Sequence, residues 1–266
     1  MNFGDRCFLR VGEIMHVRSF KMFKKLSLCC VVLSGAVSLL ASSTANASPI
    51  TFTSSGMGSD GALAANAVFT TSAGQLQVTL SNTLSASVIR SAGQALSDIS
   101  FTLSNAPGTL GTTSASGQLG NVSSTGVVTN VSGSPTRFLG AGGQGGFGIS
   151  GNTVTLETIG GGQPTQMIAP FIANGGTFTN VNQGFQNFDP FVIGPATFNL
   201  ALSGVTANTT ITAATFSFGT GPDTFLPGTP GTTPPPSPVP EPSSLLLMGS
   251  GLVAAGGAIR RRMSRA

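Results

Sequence analysis

The sequence predicts an all-β fold with one central domain, built as a β-sandwich or a jelly-roll-like sandwich. Three observations favour this class. Apolar residues alternate with polar ones in several short segments, Gly, Asn, Ser and Pro separate those segments, and only 8% of the 266 residues are charged. So little charge leaves no material for amphipathic helices of ordinary length. We place the domain at residues 48–225, enough chain for one hydrophobic core.

Five segments carry the alternating pattern. In each of them apolar residues recur at every second position, as expected of a strand with one buried face, while mostly Thr, Ser, Gln and Asn fill the other positions. Thr and Ser on the outward positions can hydrogen-bond water, so solubility does not have to come from charge. The segments are residues 75–81, 99–104, 153–158, 197–203 and 215–219.

Three other segments lack this pattern. Residues 59–68 (SDGALAANAV) predict one short helix. The low-complexity residues 108–134 and 140–148 predict long loops or weak edge strands, because Gly-rich stretches are poor core material.

Four phenylalanines are predicted to fill the core, with an exposed binding patch as the alternative. They are Phe185, Phe188, Phe191 and Phe198.

The N-terminal segment 22–47 is typical of a secretory signal peptide. Basic Lys24-Lys25 precede an apolar run and then the small residues Ala45-Asn46-Ala47. An A-x-A pattern after a short apolar run predicts cleavage after Ala47. An uncleaved N-terminal anchor is the alternative. Residues 1–21 have no pattern that belongs ahead of such a signal, and we interpret them as a mis-called start that leaves with the signal.

Cleavage at this point would remove reactive side chains from the mature chain. Every Cys, every Lys and the one His lie within the first 30 residues. The mature chain could then form no thiol nucleophile, no Ser-His-Asp or Ser-Lys pair and no His-based zinc site. Enzymatic activity is therefore not expected. The ionisable residues left before the C-terminal segment are Asp60, Arg90, Asp98, Arg137, Glu157, Asp189 and Asp223.

The C-terminal segment combines three features in a fixed order. A Pro-rich stretch, 226–238, predicts an extended linker. After Val239-Pro240-Glu241-Pro242 come 17 uncharged residues, 243–259, which would span roughly 26 Å as a transmembrane helix. The basic tail that follows would stay on the cytoplasmic side of the inner membrane by the positive-inside bias. Its arginines are Arg260, Arg261, Arg262 and Arg265.

In residues 239–266 the chain resembles proteins that carry the PEP-CTERM sorting signal. That family has a Pro-Glu-Pro motif, a Gly-interrupted apolar helix and a terminal Arg cluster, and here Pro240-Glu241-Pro242 stands in the form VPEPSSLLL. The resemblance implies export through the Sec translocon, transient anchoring in the inner membrane and processing by an exosortase. It also implies a surface or matrix protein of a Gram-negative bacterium that makes extracellular polysaccharide.

On these grounds the sequence predicts a cell-surface or biofilm-matrix protein with a structural or adhesive role, and with no cofactor. One alternative is a carbohydrate-active hydrolase that uses two of the five acids. Another is a calcium-dependent or ice-binding module, with turn carboxylates at Asp60, Asp189 and Asp223 as candidate calcium ligands. Nucleic acid binding is not expected, because residues 48–239 carry two Arg against four Asp and one Glu, a net charge of −3.

Overall fold

The computed structural model describes residues 47–140, 145–221 and 224–231, together with residues 261, 263 and 264 of the tail. Residues 47–231 belong to one compact unit, Thr44–Pro238. The predicted signal peptide up to Asn46 and the predicted helix 243–259 lie outside the described residues, as does the predicted linker beyond Gly231.

Thirteen strands are found in the described residues. Three short 3₁₀ turns accompany them, at Ala92–Gln94, Thr136–Leu139 and Phe185–Phe188. The strands are β1 (Ile50–Gly58), β2 (Gly61–Ser72), β3 (Gln75–Asn82), β4 (Leu96–Leu103), β5 (Leu110–Val122), β6 (Val128–Val131), β7 (Gly146–Ser150), β8 (Thr153–Glu157), β9 (Ile168–Ala169), β10 (Phe191–Leu202), β11 (Ile211–Phe218), β12 (Thr224–Pro227) and β13 (Thr229–Pro230).

The strands form one mixed sheet, which has two wings. The first wing has the order β5-β10-β3-β2-β1-β13, with β6 paired to β5. The second wing has the order β12-β11-β4-β8-β7. The two-residue strand β9 joins the wings, because it pairs in parallel with β10 through Ile168 and Ala169 and in antiparallel fashion with β4 through Ile168.

A second connection between the wings comes from the end of the described domain. β12 pairs with β11 in the second wing, and β13, only one residue further along the chain, pairs with β1 in the first wing. Side-chain and backbone bonds fix this crossing: the Ser54 hydroxyl donates to the Pro227 carbonyl, and the Gly228 N–H donates to the Ala214 carbonyl. The strands thus extend into residues 226–230, which the sequence assigned to the linker.

The all-β class is therefore confirmed, whereas the separate sheets of a sandwich or jelly roll are not found. The two wings do enclose a core as two sheets would, but β9 links them by hydrogen bonds into one sheet. Period-two patterns predict which face of a strand is buried and not which strands share hydrogen bonds. A two-residue bridging strand carries no periodic signal that could be seen in the sequence.

The main core lies between the wings and is dominated by phenylalanine and aliphatic side chains. Phe69 of β2 meets Phe101 of β4 with ring centroids 4.9 Å apart, and both rings are buried. Phe138, from a 3₁₀ turn, packs in the same way against Phe198 of β10 at 5.0 Å. Because these contacts join different parts of the chain, burial of the rings holds the wings together.

A second core covers one end of the outer side of β10. Phe185 and Phe191 stack there with centroids 4.2 Å apart, and Ile193 and Phe178 belong to the same cluster. The prediction that the phenylalanines near residue 190 fill the core is confirmed. Phe185, Phe191 and Phe198 are buried, and Phe188 is partly buried against this second cluster.

All five segments with alternating patterns lie in strands, β3, β4, β8, β10 and β11. The helix predicted at residues 59–68 is wrong, because β2 runs through it from Gly61. Leu63, Ala65 and Ala67 alternate with half-buried positions there, but small alanines on both faces obscured the period.

The low-complexity segment 108–134 is more ordered than predicted. Its first half forms β5, which pairs with β10 along most of its length, and its second half contains the short strand β6. Gly117 allows close contact here, since a Cβ at this position would lie 3.2 Å from the Val192 side chain. The small residues thus permit tight strand packing rather than a loop.

Candidate functional site

The predicted sorting residues fall largely outside the described structure. Ala45, Val239, Pro240, Glu241, Pro242, Arg260, Arg262 and Arg265 are all outside it. Ala47 is described, and its N–H donates to the Thr71 carbonyl at 3.0 Å. Arg261 is described and exposed. Within the described part of the chain, no helix has the length and apolar character that crossing a membrane requires.

Two of the five acids named as hydrolase candidates are brought together by the fold. Asp98 on β4 and Glu157 on β8 stand directly opposite each other in the antiparallel ladder, so their side chains share the outer face of the second wing. Burial raises the pKa of Asp98 from 3.8 to about 6, and the Glu157 carboxylate contributes to the same rise. The sequence spacing of 59 residues offered no sign of this pairing.

The Asp98 carboxyl group is occupied by its own neighbours. Its Oδ1 accepts the Thr158 N–H at 2.9 Å, and its Oδ2 accepts the Ser97 hydroxyl at 3.3 Å. Only 8% of the residue is exposed. A catalytic acid has to reach its substrate, so these contacts favour a structural role for this carboxyl group.

The remaining acids are separate from this pair. Asp60 is exposed and accepts the Ser91 hydroxyl at 2.6 Å. Both carboxylate oxygens of Asp189 accept the Val122 N–H, at 2.9 and 3.0 Å, and burial raises the pKa of Asp189 to about 6. Asp223 lies outside the described residues. Among the side chains that are described, no three of His, Cys, Asp and Glu gather where they could hold a metal ion.

The two arginines of the domain interact with backbone and amide groups near turns. The backbone N–H of Arg90 donates to Gln94 Oε1 at 2.6 Å, and the Arg137 side chain donates through Nη2 to the Gln163 carbonyl at 3.0 Å. Neither contact involves one of the acids. Both arginines lie between strands, and the strands of the first wing are free of charge.

The outer side of the first wing is a candidate surface, and we call it the polar face. The strands β1, β2, β3, β5 and β10 contain no Asp, Glu, Lys or Arg. Their outward side chains line up in rows across the strands, because the register pairs residues of the same orientation. One row is Thr51, Val68, Thr79, Thr197 and Ser116, and the next is Thr70, Gln77, Asn199 and Ser114.

Hydrogen bonds between side chains fix these rows. Gln77 Nε2 donates to Asn199 Oδ1 at 3.0 Å, and Asn199 Nδ2 donates to the Ser114 hydroxyl at 3.2 Å. The hydroxyls of Thr79 and Thr197 lie 3.0 Å apart. Such bonds hold the polar groups at the strand spacing of about 4.8 Å. The face therefore offers regularly placed hydroxyl and amide groups without charge.

Two shallow grooves lie on the polar face. One, of about 400 Å³, runs beside Thr53, Asn66 and Thr229, where β13, β1 and β2 adjoin. The other, of about 310 Å³, lies beside Thr70, Gln77 and Asn199. Both are lined by hydroxyl, amide and small apolar groups. Neither Asp98 nor Glu157 lines either groove.

The sequence predicted Thr and Ser at the outward positions of the strands but could not say which strands share one face. Of the contributing strands, β3 and β10 show clear alternation of apolar and polar residues in the sequence, whereas β5 comes from the low-complexity segment. Pairing between strands that are distant in sequence, such as β5 with β10, decides which side chains become neighbours.

Comparison with known proteins identifies one segment of the chain. The family model of the PEP-CTERM protein-sorting motif matches residues 238–262. This match covers the Pro-Glu-Pro motif, the apolar stretch and the first three arginines, and thereby confirms the resemblance seen in the sequence. No curated protein and no solved structure gives a significant match to the chain.

Proposed function

We propose that this chain, which carries a PEP-CTERM sorting motif and is sorted to the cell surface by an exosortase, uses its β domain as a non-enzymatic adhesive component of an extracellular polysaccharide matrix. The Sec translocon would export it, and the predicted helix 243–259 would hold it in the inner membrane until processing. The polar face of the first wing would then contact the polysaccharide.

The observation that carries this proposal is the uncharged polar face. Polysaccharide chains present many hydroxyl groups, which act both as donors and as acceptors of hydrogen bonds. The rows through Thr79 and Gln77 offer both kinds of group at regular intervals. Each such bond contributes about 0.5 to 1.5 kcal/mol, so binding would depend on many contacts along an extended chain.

The lack of charge also defines the kind of polysaccharide. Binding through counterion release needs Lys or Arg, and none occurs in the strands of the polar face. We therefore assign a neutral polysaccharide to this face. Its binding should change little between low and high salt, because no ion pairs are screened.

A hydrolase remains the second candidate, favoured by the juxtaposition of Asp98 and Glu157. Directly opposed side chains on neighbouring strands suit the short carboxyl separation of about 5 Å that retaining glycosidases use. The burial of Asp98 and its bonds to Thr158 and Ser97 argue against substrate access. Release of reducing sugar by the wild type but not by Asp98→Asn would establish the hydrolase.

The sorting step is tested by substitutions in the Pro-Glu-Pro motif. Glu241→Ala combined with Pro242→Ala should abolish processing, and the chain should accumulate in the inner membrane at its unprocessed mass. Ser243→Ala, just beyond the motif, serves as the control and should be processed normally. Fractionation and mass spectrometry measure both. Surface delivery of the double variant at the wild-type level and mass would contradict the sorting assignment.

The polar face is tested by a pair of matched double variants. Thr79→Val with Thr197→Val removes two facing hydroxyls from the polar face while keeping the side-chain shape. Thr102→Val with Thr153→Val removes an equivalent pair, 3.3 Å apart, from the second wing. We expect about tenfold weaker binding of dextran or cello-oligosaccharides for the first variant, from the loss of two hydrogen bonds, and no change for the second.

Equilibrium binding of the purified full-length chain measures this effect, with circular dichroism to confirm folding. Equal losses in both variants would contradict a specific role for the polar face. Failure of the wild type to bind any neutral polysaccharide, or preferential binding of anionic alginate, would overturn the proposal itself.

A further inference from the structure

Phe171 is the most exposed phenylalanine among the described residues. It is 70% exposed, while ten other phenylalanines are almost completely buried. It follows β9 after one residue and stands beside β10. Single exposed apolar side chains are common on protein surfaces, so the surroundings of the ring decide whether it is a candidate contact for a ligand.

Gly194 of β10 lies directly against this ring. A Cβ atom on Gly194 would lie 3.0 Å from Phe171 Cδ2 and 3.2 Å from Phe171 Cβ, closer than side-chain atoms normally approach. Gly194 also has a φ of +91°, a conformation that residues with a side chain rarely adopt. The strand thus brings its backbone against one part of the ring and leaves the rest open to solvent.

The segment that follows Phe171 in the chain is also fixed by backbone hydrogen bonds. The Gly176 N–H donates to the Ala173 carbonyl at 2.8 Å, which closes a tight turn. Val128 fixes that turn through two backbone bonds: its carbonyl accepts the Gly175 N–H at 2.8 Å, and its N–H donates to the Gly176 carbonyl at 2.9 Å. With β9 before it and this turn after it, the ring is carried by a short, well-bonded segment.

Gly194, which lies against Phe171, is placed along β10 between the second core and the polar face. Along β10, Phe191 and Ile193 lie in the second core, on the outer side of the strand, whereas Val192 belongs to the main core. Beyond the irregular pairing at residues 192–196, Thr197 and Asn199 continue the outer side as members of the polar face. Gly194 and Thr197 are three residues apart, roughly 10 Å along the strand.

We propose that Phe171 is a stacking platform for one sugar ring of a neutral polysaccharide whose neighbouring units contact Thr197 and Asn199. This inference deepens the proposed function and rests on it. The C–H faces of a pyranose ring are apolar and pack well on an aromatic ring, while its equatorial hydroxyls point sideways to hydrogen-bonding groups. One aromatic anchor next to rows of hydroxyl and amide groups combines both needs.

The sequence offers a direct test, because the full chain contains neither Trp nor Tyr. Phe171→Trp therefore introduces a single fluorophore at the platform. Phe225→Trp is the matched control, since Phe225 is 57% exposed but lies on β12 in the second wing. Titration of each full-length variant with cello-oligosaccharides or dextran should shift the emission of Phe171→Trp saturably and leave that of Phe225→Trp unchanged.

Affinity provides the second measurement. Phe171→Ala should weaken binding about tenfold, the effect of losing one aromatic contact of about 1.4 kcal/mol, whereas Phe225→Ala should bind like the wild type. Thermal unfolding of Phe171→Ala checks that an exposed side chain was removed without loss of fold.

The outcomes separate this inference from the proposed function. If the wild type binds and the Thr79/Thr197 variant loses affinity, but Phe171→Ala binds normally and Phe171→Trp gives no shift, the platform is refuted and the polar face stands. If the wild type binds none of these saccharides, the proposed function fails first and the platform with it. An equal shift from Phe225→Trp would also refute the platform, because binding would not be local to Phe171.

Discussion

Replacing Phe69 with alanine is expected to lower the free energy of unfolding by about 3 to 5 kcal/mol, the usual range for a fully buried phenylalanine. The Phe69 side chain is buried between the wings and meets Phe101 at 4.9 Å and Phe52 at 6.0 Å. Its removal takes away apolar burial and leaves a cavity that the two strands cannot fill without moving. Chemical denaturation at pH 7 measures the change.

Phe225→Ala is the matched control for this prediction. The same atoms are removed from an exposed position on β12, so the change in unfolding free energy should stay within about 0.5 kcal/mol. A loss for Phe69→Ala as small as that for Phe225→Ala would show that the wings do not close on Phe69.

Replacing Asp98 with asparagine is expected to stabilise the domain at pH 7 by about 2 to 3 kcal/mol. The folded state raises the pKa of this carboxyl group from 3.8 to about 6, so at pH 7 a charge is held in a buried place. The folded state binds the proton more tightly than the unfolded state. Stability should therefore rise as the pH falls through 6, reach its full value below 3.8, and be lost again as the pH rises.

Unfolding free energies measured between pH 4 and pH 7.5 test this. The wild type should be more stable at pH 4 than at pH 7, and Asp98→Asn should lose about half of that slope, because asparagine keeps the acceptor for the Thr158 N–H without a charge. The rest should remain, since burial also raises the pKa of the half-buried Asp189 to about 6. If the Asp98→Asn and wild-type profiles coincide, the buried-charge interpretation is wrong.

Prediction from the sequence worked best where one strand repeats one pattern. In β3 and β10 the alternation of apolar and polar residues named the buried side chains correctly, including Leu76, Val78 and Phe198. It failed in β2, where alanines on both faces hid the period and suggested a helix. Alternation in a sequence is recognisable only where the side chains on the two faces of a strand differ clearly in size and polarity, and in β2 they do not.

The features of the candidate sites also fall into those that the sequence shows and those that only the fold creates. The scarcity of charge in the strands was visible in the sequence and already pointed to a neutral polar surface. The Asp98–Glu157 pair was not visible, because β4 and β8 become neighbours only through the fold. Phe171 was missed too, because the local sequence does not distinguish an exposed phenylalanine from a buried one. Gly194, which lies against its ring, is 23 positions away in the sequence.

The sequence by itself determined the sorting of this protein and the kinds of atom that it can present. The Pro-Glu-Pro motif, the apolar stretch and the Arg cluster form a contiguous signal, and composition is independent of the fold. Only the tertiary structure decided that the wings form one sheet, which hydroxyl groups stand in rows, and that the exposed Phe171 ring lies against Gly194. These are contacts between distant residues, and their geometry arises from strand pairing and core packing together.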